Sequence, residues 1–142
     1  MFVTHYMKEK KKPCEDMFWA VKGEDLKKQI KWYEEICGKA ATAYKEYLKK
    51  CELTADGLEE YGEVLFRDSV LLQVQIQYHC FSGAYFACRS MLEGLEENYK
   101  TAFFNAGKAK EEYQQADRAM REREHGKWHG FYENECLTDI KQ

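Results

Sequence analysis

Proline is nearly absent from this chain of 142 residues, which carries a single one at Pro13 and only nine glycines. Sandwiches and barrels of short strands need frequent turn residues, so the shortage argues against all-β folds and for long helices. Long apolar runs are missing too, and nothing approaches the ~20 residues that a membrane-spanning helix requires. There is no excess of positive charge. With 22 basic against 25 acidic residues the formal charge is −3, which offers no basic face for nucleic acid. No Cys-x-x-Cys pair occurs, which removes the usual zinc ribbons and thioredoxin-like motifs. Met1 to Lys12 lacks the apolar stretch of a secretory signal. A glycine-rich phosphate loop and a nucleophile elbow are likewise missing.

Six cysteines are present, at positions 14, 37, 51, 80, 88 and 136. Without a secretion signal they are expected to stay reduced in a cytoplasmic protein. Cys37, Cys80 and Cys88 fall within apolar helical patterns, where a thiol serves as a small hydrophobe.

The chain divides into an N-terminal arm over 1–23, a helical body over 24–125 and a C-terminal tail over 126–142. In the arm, Lys8, Lys10, Lys11 and Lys12 precede Pro13 and read as a solvated terminus. Met17, Phe18, Trp19 and Val21 are candidates to tie the arm to the body. The first long helix is expected from Glu24 to about Lys50, with Leu26, Ile30, Tyr33, Cys37, Ala40, Tyr44 and Leu48 recurring every three or four residues. Glu24 and Asp25 suit its positive end. Thr54 is a plausible cap for the next helix.

The second helix is expected from about Leu58, with Tyr61, Leu65, Leu72, Ile76 and Cys80 on one stripe and Asp68 out of place. The stretch Leu72 to Cys80 alternates like a strand. A lone strand would leave its backbone groups unpaired, so helix is expected there, with a bend at Ser82-Gly83. The third helix follows a break near Gly94, with Asn105 to Gly107 as the alternative. Leu92, Leu95, Tyr99, Ala102, Ala106, Ala109, Tyr113, Ala116 and Met120 keep a heptad spacing, with alanines allowing close approach. The helix is expected to end at Gly126. Phe131, Cys136, Leu137 and Ile140 suggest a short C-terminal helix. The fold expected is therefore all-α, an up-down-up bundle of three long helices with an N-terminal arm and that short final helix.

Candidate chemistry is sparse. Glu122, His125, His129 and Glu133 would line one face of a continuous helix and hold a metal, but Gly126 and Gly130 interrupt the array, so surface polar residues are expected instead. Glutamine at 73, 75 and 77 stands where a di-iron bundle needs carboxylates. His79 and Cys80 are neighbours and point about 100° apart on a helix, so they cannot pair as base and nucleophile. The paired acids Glu34-Glu35, Glu59-Glu60, Glu96-Glu97 and Glu111-Glu112 are expected on outward faces. A bundle of this size is expected to fill its interior and leave little room for a pocket. No catalytic residue, metal or cofactor is expected. Trp128 lies past the third helix, between a lysine and a histidine, where a junction with another domain is plausible. Lys127, Trp128, His129 and Tyr132 are the candidate interface.

The order Val74 through Tyr99 and Tyr113, followed by Gly126-Lys127-Trp128-His129, resembles the helical domain that follows the catalytic barrel in xylan α-glucuronidases of glycoside hydrolase family 115. The resemblance spans roughly residues 24–135 and is sharpest at Gly-Lys-Trp. It implies a non-catalytic accessory domain or fragment that packs against a catalytic or carbohydrate-binding domain. The alternative is a free-standing helical interaction module. Both imply a neighbouring domain or protein partner, no nucleic acid, no membrane, and at most a weak homodimer.

Overall fold

The computed structural model describes residues 24–126 together with 129 and 130. The N-terminal arm, Lys127, Trp128 and everything from Phe131 onward, including the expected final helix, lie outside the described residues.

The body is all-α, with three long helical spans running up, down and up. Helix α1 covers Glu24–Asp56. The second span is composite: α2 over Glu60–Phe66, a π-helical turn over Arg67–Leu71, and α3 over Leu72–Leu95. Helix α4 covers Tyr99–Glu122. No strand occurs among the described residues, so the alternation from Leu72 to Cys80 is helical. A buried strand without a neighbour would strand its amides and carbonyls, whereas a helix satisfies them internally. Among the described residues no helix is long and apolar enough to cross a membrane.

Helix α1 runs six residues further than expected and buries Cys51 and Ala55. Thr54 is inside it, and its hydroxyl donates back to the Lys50 carbonyl at 2.9 Å rather than capping the next helix. The end of α3 is a Schellman turn. The Asn98 amide donates to the Glu93 carbonyl at 2.9 Å and the Glu97 amide to Gly94 at 3.1 Å. Glu97 takes the left-handed conformation there, with φ +63°, although glycine suits that position best.

The π turn revises the expected second stripe. One extra residue in the turn shifts the helix phase, so the adjacent Leu71 and Leu72 are both buried, with Val74 behind them. Tyr61 and Leu65, on the other side of the turn, are left exposed. Asp68, the residue out of register in the sequence, sits in the turn. Ser82-Gly83 lies inside unbroken α3. There a β-carbon on Gly83 would stand 3.0 Å from the Tyr113 ring, so glycine provides room for the ring rather than a bend.

Helix α3 is the shared centre and packs against α1 on one side and α4 on the other, while α1 and α4 barely meet. The interior is correspondingly thin and falls into two clusters. Cys51, Ala55, Leu71 and Val74, with Tyr44, Leu48 and Phe66 against them, form one end. Ile30, Cys88 and Leu92, with Leu26, form the other.

Candidate functional site: an apolar groove between the outer helices

Because α3 separates α1 from α4, a groove runs along it near the start of α1. Leu26, Gln29, Ile30 and Tyr33 form the α1 wall, Ala84, Ala87, Cys88 and Met91 the floor, and Tyr113 the α4 wall. Its volume is about 340 Å³. Alanine at 84 and 87 leaves space between the walls, and most of the lining is apolar. The expectation that the bundle leaves little room for a pocket is therefore corrected: three helices in a row enclose no common interior, and side chains of this size do not fill the gap.

The phase of α4 explains the exposed wall. The residues facing α3 run through Ala102, Asn105, Ala109, Glu112 and Ala116, so only half of the expected heptad stripe is used. Ala109 and Ala116 are buried, and the Ser90 hydroxyl donates to the Ala102 carbonyl at 2.7 Å, a close approach that the alanine permits. The buried Asn105 amide is satisfied by the Thr101 carbonyl at 3.1 Å. Glu112 pairs with His79, Oε2 to Nδ1, at 2.7 Å. The helix is rolled so that Tyr99 and Ala106 face solvent, while Tyr113 lies at the edge of the seam with its ring over Gly83. Tyr33 at 49%, Met91 at 37% and Tyr113 at 45% exposure leave a large apolar area facing solvent. Burying such side chains is worth ~1.5–3 kcal/mol each, so this face is costly to leave open.

The groove is held in shape by polar ties at its ends. Lys27 Nζ meets Glu96 at 3.0 Å. Arg89 bridges Glu34 on α1 at 3.3 Å and Glu93 on α3 at 3.4 Å. Two residues expected on outward faces, Glu34 and Glu112, are instead partly buried and face a neighbouring helix. No sequence pattern marks either position, because a charged residue at the edge of a stripe looks the same whether it meets water or a basic partner on the next helix. Burial pushes the Cys88 thiol up to about 11, with Cys37 and Glu34 adding to the effect. Burial likewise raises Cys37 and Cys80. None of these is an activated nucleophile, since nucleophilic thiols need a lowered pKa.

At the far end lies a polar cluster. Asp68 accepts from Arg123 Nε at 2.5 Å and pairs with His125 Nε2 at 2.6 Å. Burial alone would raise the Asp68 carboxyl. Hydrogen bonds and charge from His125 and Arg123 outweigh it and hold the group below its ordinary range. Arg67, also in the π turn, bonds Glu63 at 2.8 Å and Asp56 at 2.6 Å. This cluster clamps the end of α4 to the π turn.

The metal array does not form among the described residues. Helix α4 ends at Glu122, His125 is taken by Asp68, and Gly126 breaks the helix with φ +56°. Glu133 lies outside the described residues. No group of three or more His, Cys, Asp or Glu residues is placed to hold a metal among those described. Of the candidate interface, His129 is exposed in a turn, with its amide donating to the Gly126 carbonyl at 3.2 Å. Lys127, Trp128 and Tyr132 lie outside the described residues.

Comparison with protein-family models, characterised proteins and solved structures finds no match.

Proposed function

We propose that this protein is a helical interaction module that docks an apolar helix in the groove between α1 and α4. The observation that carries this reading is the groove itself: an apolar trough flanked by two helices that do not close on each other. A fourth helix laid along α3 would cover the exposed Tyr33, Met91 and Tyr113. Amphipathic helices bind such grooves through residues spaced i, i+3, i+4 and i+7. Nothing in the lining supplies acid–base chemistry, and the histidine–carboxylate pair of His79 and Glu112 lies outside the lining.

The test is site-directed photo-crosslinking from Met91 in cells. The expected result is a captured protein joined through an amphipathic helical segment, lost in Tyr33→Glu and retained in Tyr61→Glu, whose site is exposed on α2. Capture that is indifferent to Tyr33→Glu would remove the reading.

A second reading, an accessory domain of a large glycoside hydrolase, is favoured by apolar exposure on other faces. Phe103 is 82% exposed, and Tyr61 and Leu65 are bare on α2. A domain packed on a catalytic or carbohydrate-binding neighbour would cover such patches. A reading frame that continues into a barrel-coding region would support it, and a frame bounded at Met1 and Gln142 would remove it. In either role the chain is non-catalytic by this proposal, so it should release no product from glucuronoxylan fragments.

A further inference from the structure

We propose that the resting occupant of the groove is the chain's own segment from Cys14 to Val21, docked as a short amphipathic helix. This rests on the reading of the groove as a helix-docking site and names what fills it before a partner arrives.

The first argument is position. The α1 wall of the groove begins at Leu26, three residues after Gly23, so the arm enters the body at the lip of the groove. The tail departs from the opposite end, where Arg123 and His125 hold Asp68. From Asp68 to Met91 is about 35 Å of helix, so the arm is the nearer terminus.

The second argument is pattern. The arm lies outside the described residues, so its reading is one of sequence. Cys14, Met17, Phe18 and Val21 are spaced i, i+3, i+4 and i+7, one face of a helix. Pro13 and the acids Glu15 and Asp16 suit a helix start, and Lys22 with Gly23 suits an end. Residues 13–21 would make about 13 Å of helix, against about 10 Å from Leu26 to Tyr33 along the α1 wall. The few residues up to Gly23 fall within the 2–5-residue loops that join antiparallel helices.

The third argument is tethering. A short linker holds the segment at an effective concentration on the order of millimolar, so even a weak apolar contact is populated. A partner helix must then displace the arm, which sets a threshold on docking.

Two native cysteines report the arrangement, because Cys14 lies in the segment and Cys88 in the groove floor. Full-length protein is oxidised by air with copper phenanthroline, where two thiols give up two protons and two electrons to oxygen and form one disulfide. Peptide mapping by mass spectrometry under non-reducing conditions identifies the pair. The expected product is an intramolecular Cys14–Cys88 link in monomeric protein, reduced at least tenfold in Phe18→Asp and in Met17→Asp with helicity unchanged by circular dichroism. Failure of Cys14 to link to Cys88 would overturn the proposal, as would a Cys14–Cys88 link that joins two copies. Failure of the link while Met91 still captures a helix in Tyr33-dependent fashion removes the arm alone. A link without any such capture keeps the arm and removes the partner.

Discussion

Gly83 and Tyr113 offer a quantitative test of how α3 and α4 pack. Replacing a mid-helix glycine by alanine ordinarily stabilises a helix by ~1 kcal/mol, through a smaller backbone entropy loss. At Gly83 the new β-carbon would lie 3.0 Å from Cε1 and Cζ of Tyr113 and 3.2 Å from Cε2. Three ring atoms at that range mean that the ring must shift by a few tenths of an ångström to admit the methyl group. Overpacking of this kind costs ~1–3 kcal/mol. Gly83→Ala alone should therefore destabilise the protein by ~1 kcal/mol. In a Tyr113→Ala background the obstacle is gone, and the same change should stabilise by ~1 kcal/mol. The coupling energy of ~2 kcal/mol would be read from a double-mutant cycle by urea denaturation followed at 222 nm. Equal effects of Gly83→Ala in the two backgrounds would refute the packing of Tyr113 over α3, and with it the α4 wall of the groove.

Three further outcomes are expected. Asp68 has its folded pKa depressed, so its contribution is present above the unfolded value of ~3.9 and is lost as the pH falls through the folded one. Asp68→Asn should lower stability at pH 7 by ~1 kcal/mol and flatten the acid limb of the stability–pH curve; an unchanged acid limb would contradict the clamp. Cys88 has a raised pKa of about 11, so its contribution is complete below ~8.5, the unfolded value, and is lost as the pH rises toward 11. Cys88→Ala should reduce the loss of stability over that alkaline window, as followed by chemical denaturation at pH 8 and pH 10. Glu97→Gly should raise stability by ~0.5–1 kcal/mol, because the Schellman turn holds Glu97 at φ +63° and glycine adopts that conformation freely; a lower thermal midpoint would contradict the assignment.

The sequence announced three helices clearly where apolar spacing was long and regular. Leu26 to Leu48 kept a steady stripe, so α1 was legible, and its extension through Cys51 and Ala55 continues the same spacing past a lysine pair that resembled a helix end. Gly94 marked the next break to within one residue of Leu95, because backbone turns depend on local residues. The π turn was visible only as Asp68 out of register. A single inserted residue changes which side of the helix is buried without changing composition, so the stripe through Tyr61 and Leu65 was legible as helix and misassigned as core. The groove was not legible at all. Which half of the α4 heptad meets α3 depends on contacts across the helices, such as Glu112 with His79 and the Ser90 hydroxyl with the Ala102 carbonyl, and those are a tertiary matter. Of the residues expected to form an interface, only His129 is among those described, exposed in a turn.

The ε-methyl of Met91 stands in the groove floor and reports its cover most directly. In full-length protein labelled at methionine methyl groups, nuclear Overhauser contacts from Met91 should reach aromatic protons of Phe18 as well as those of its own lining residues Tyr33 and Tyr113. They should vanish to Phe18 and be replaced by contacts to an added partner helix when one displaces the arm. A Met91 methyl that contacts only lining residues and water, in the chain alone and with every helical partner offered, would contradict the groove as a docking site.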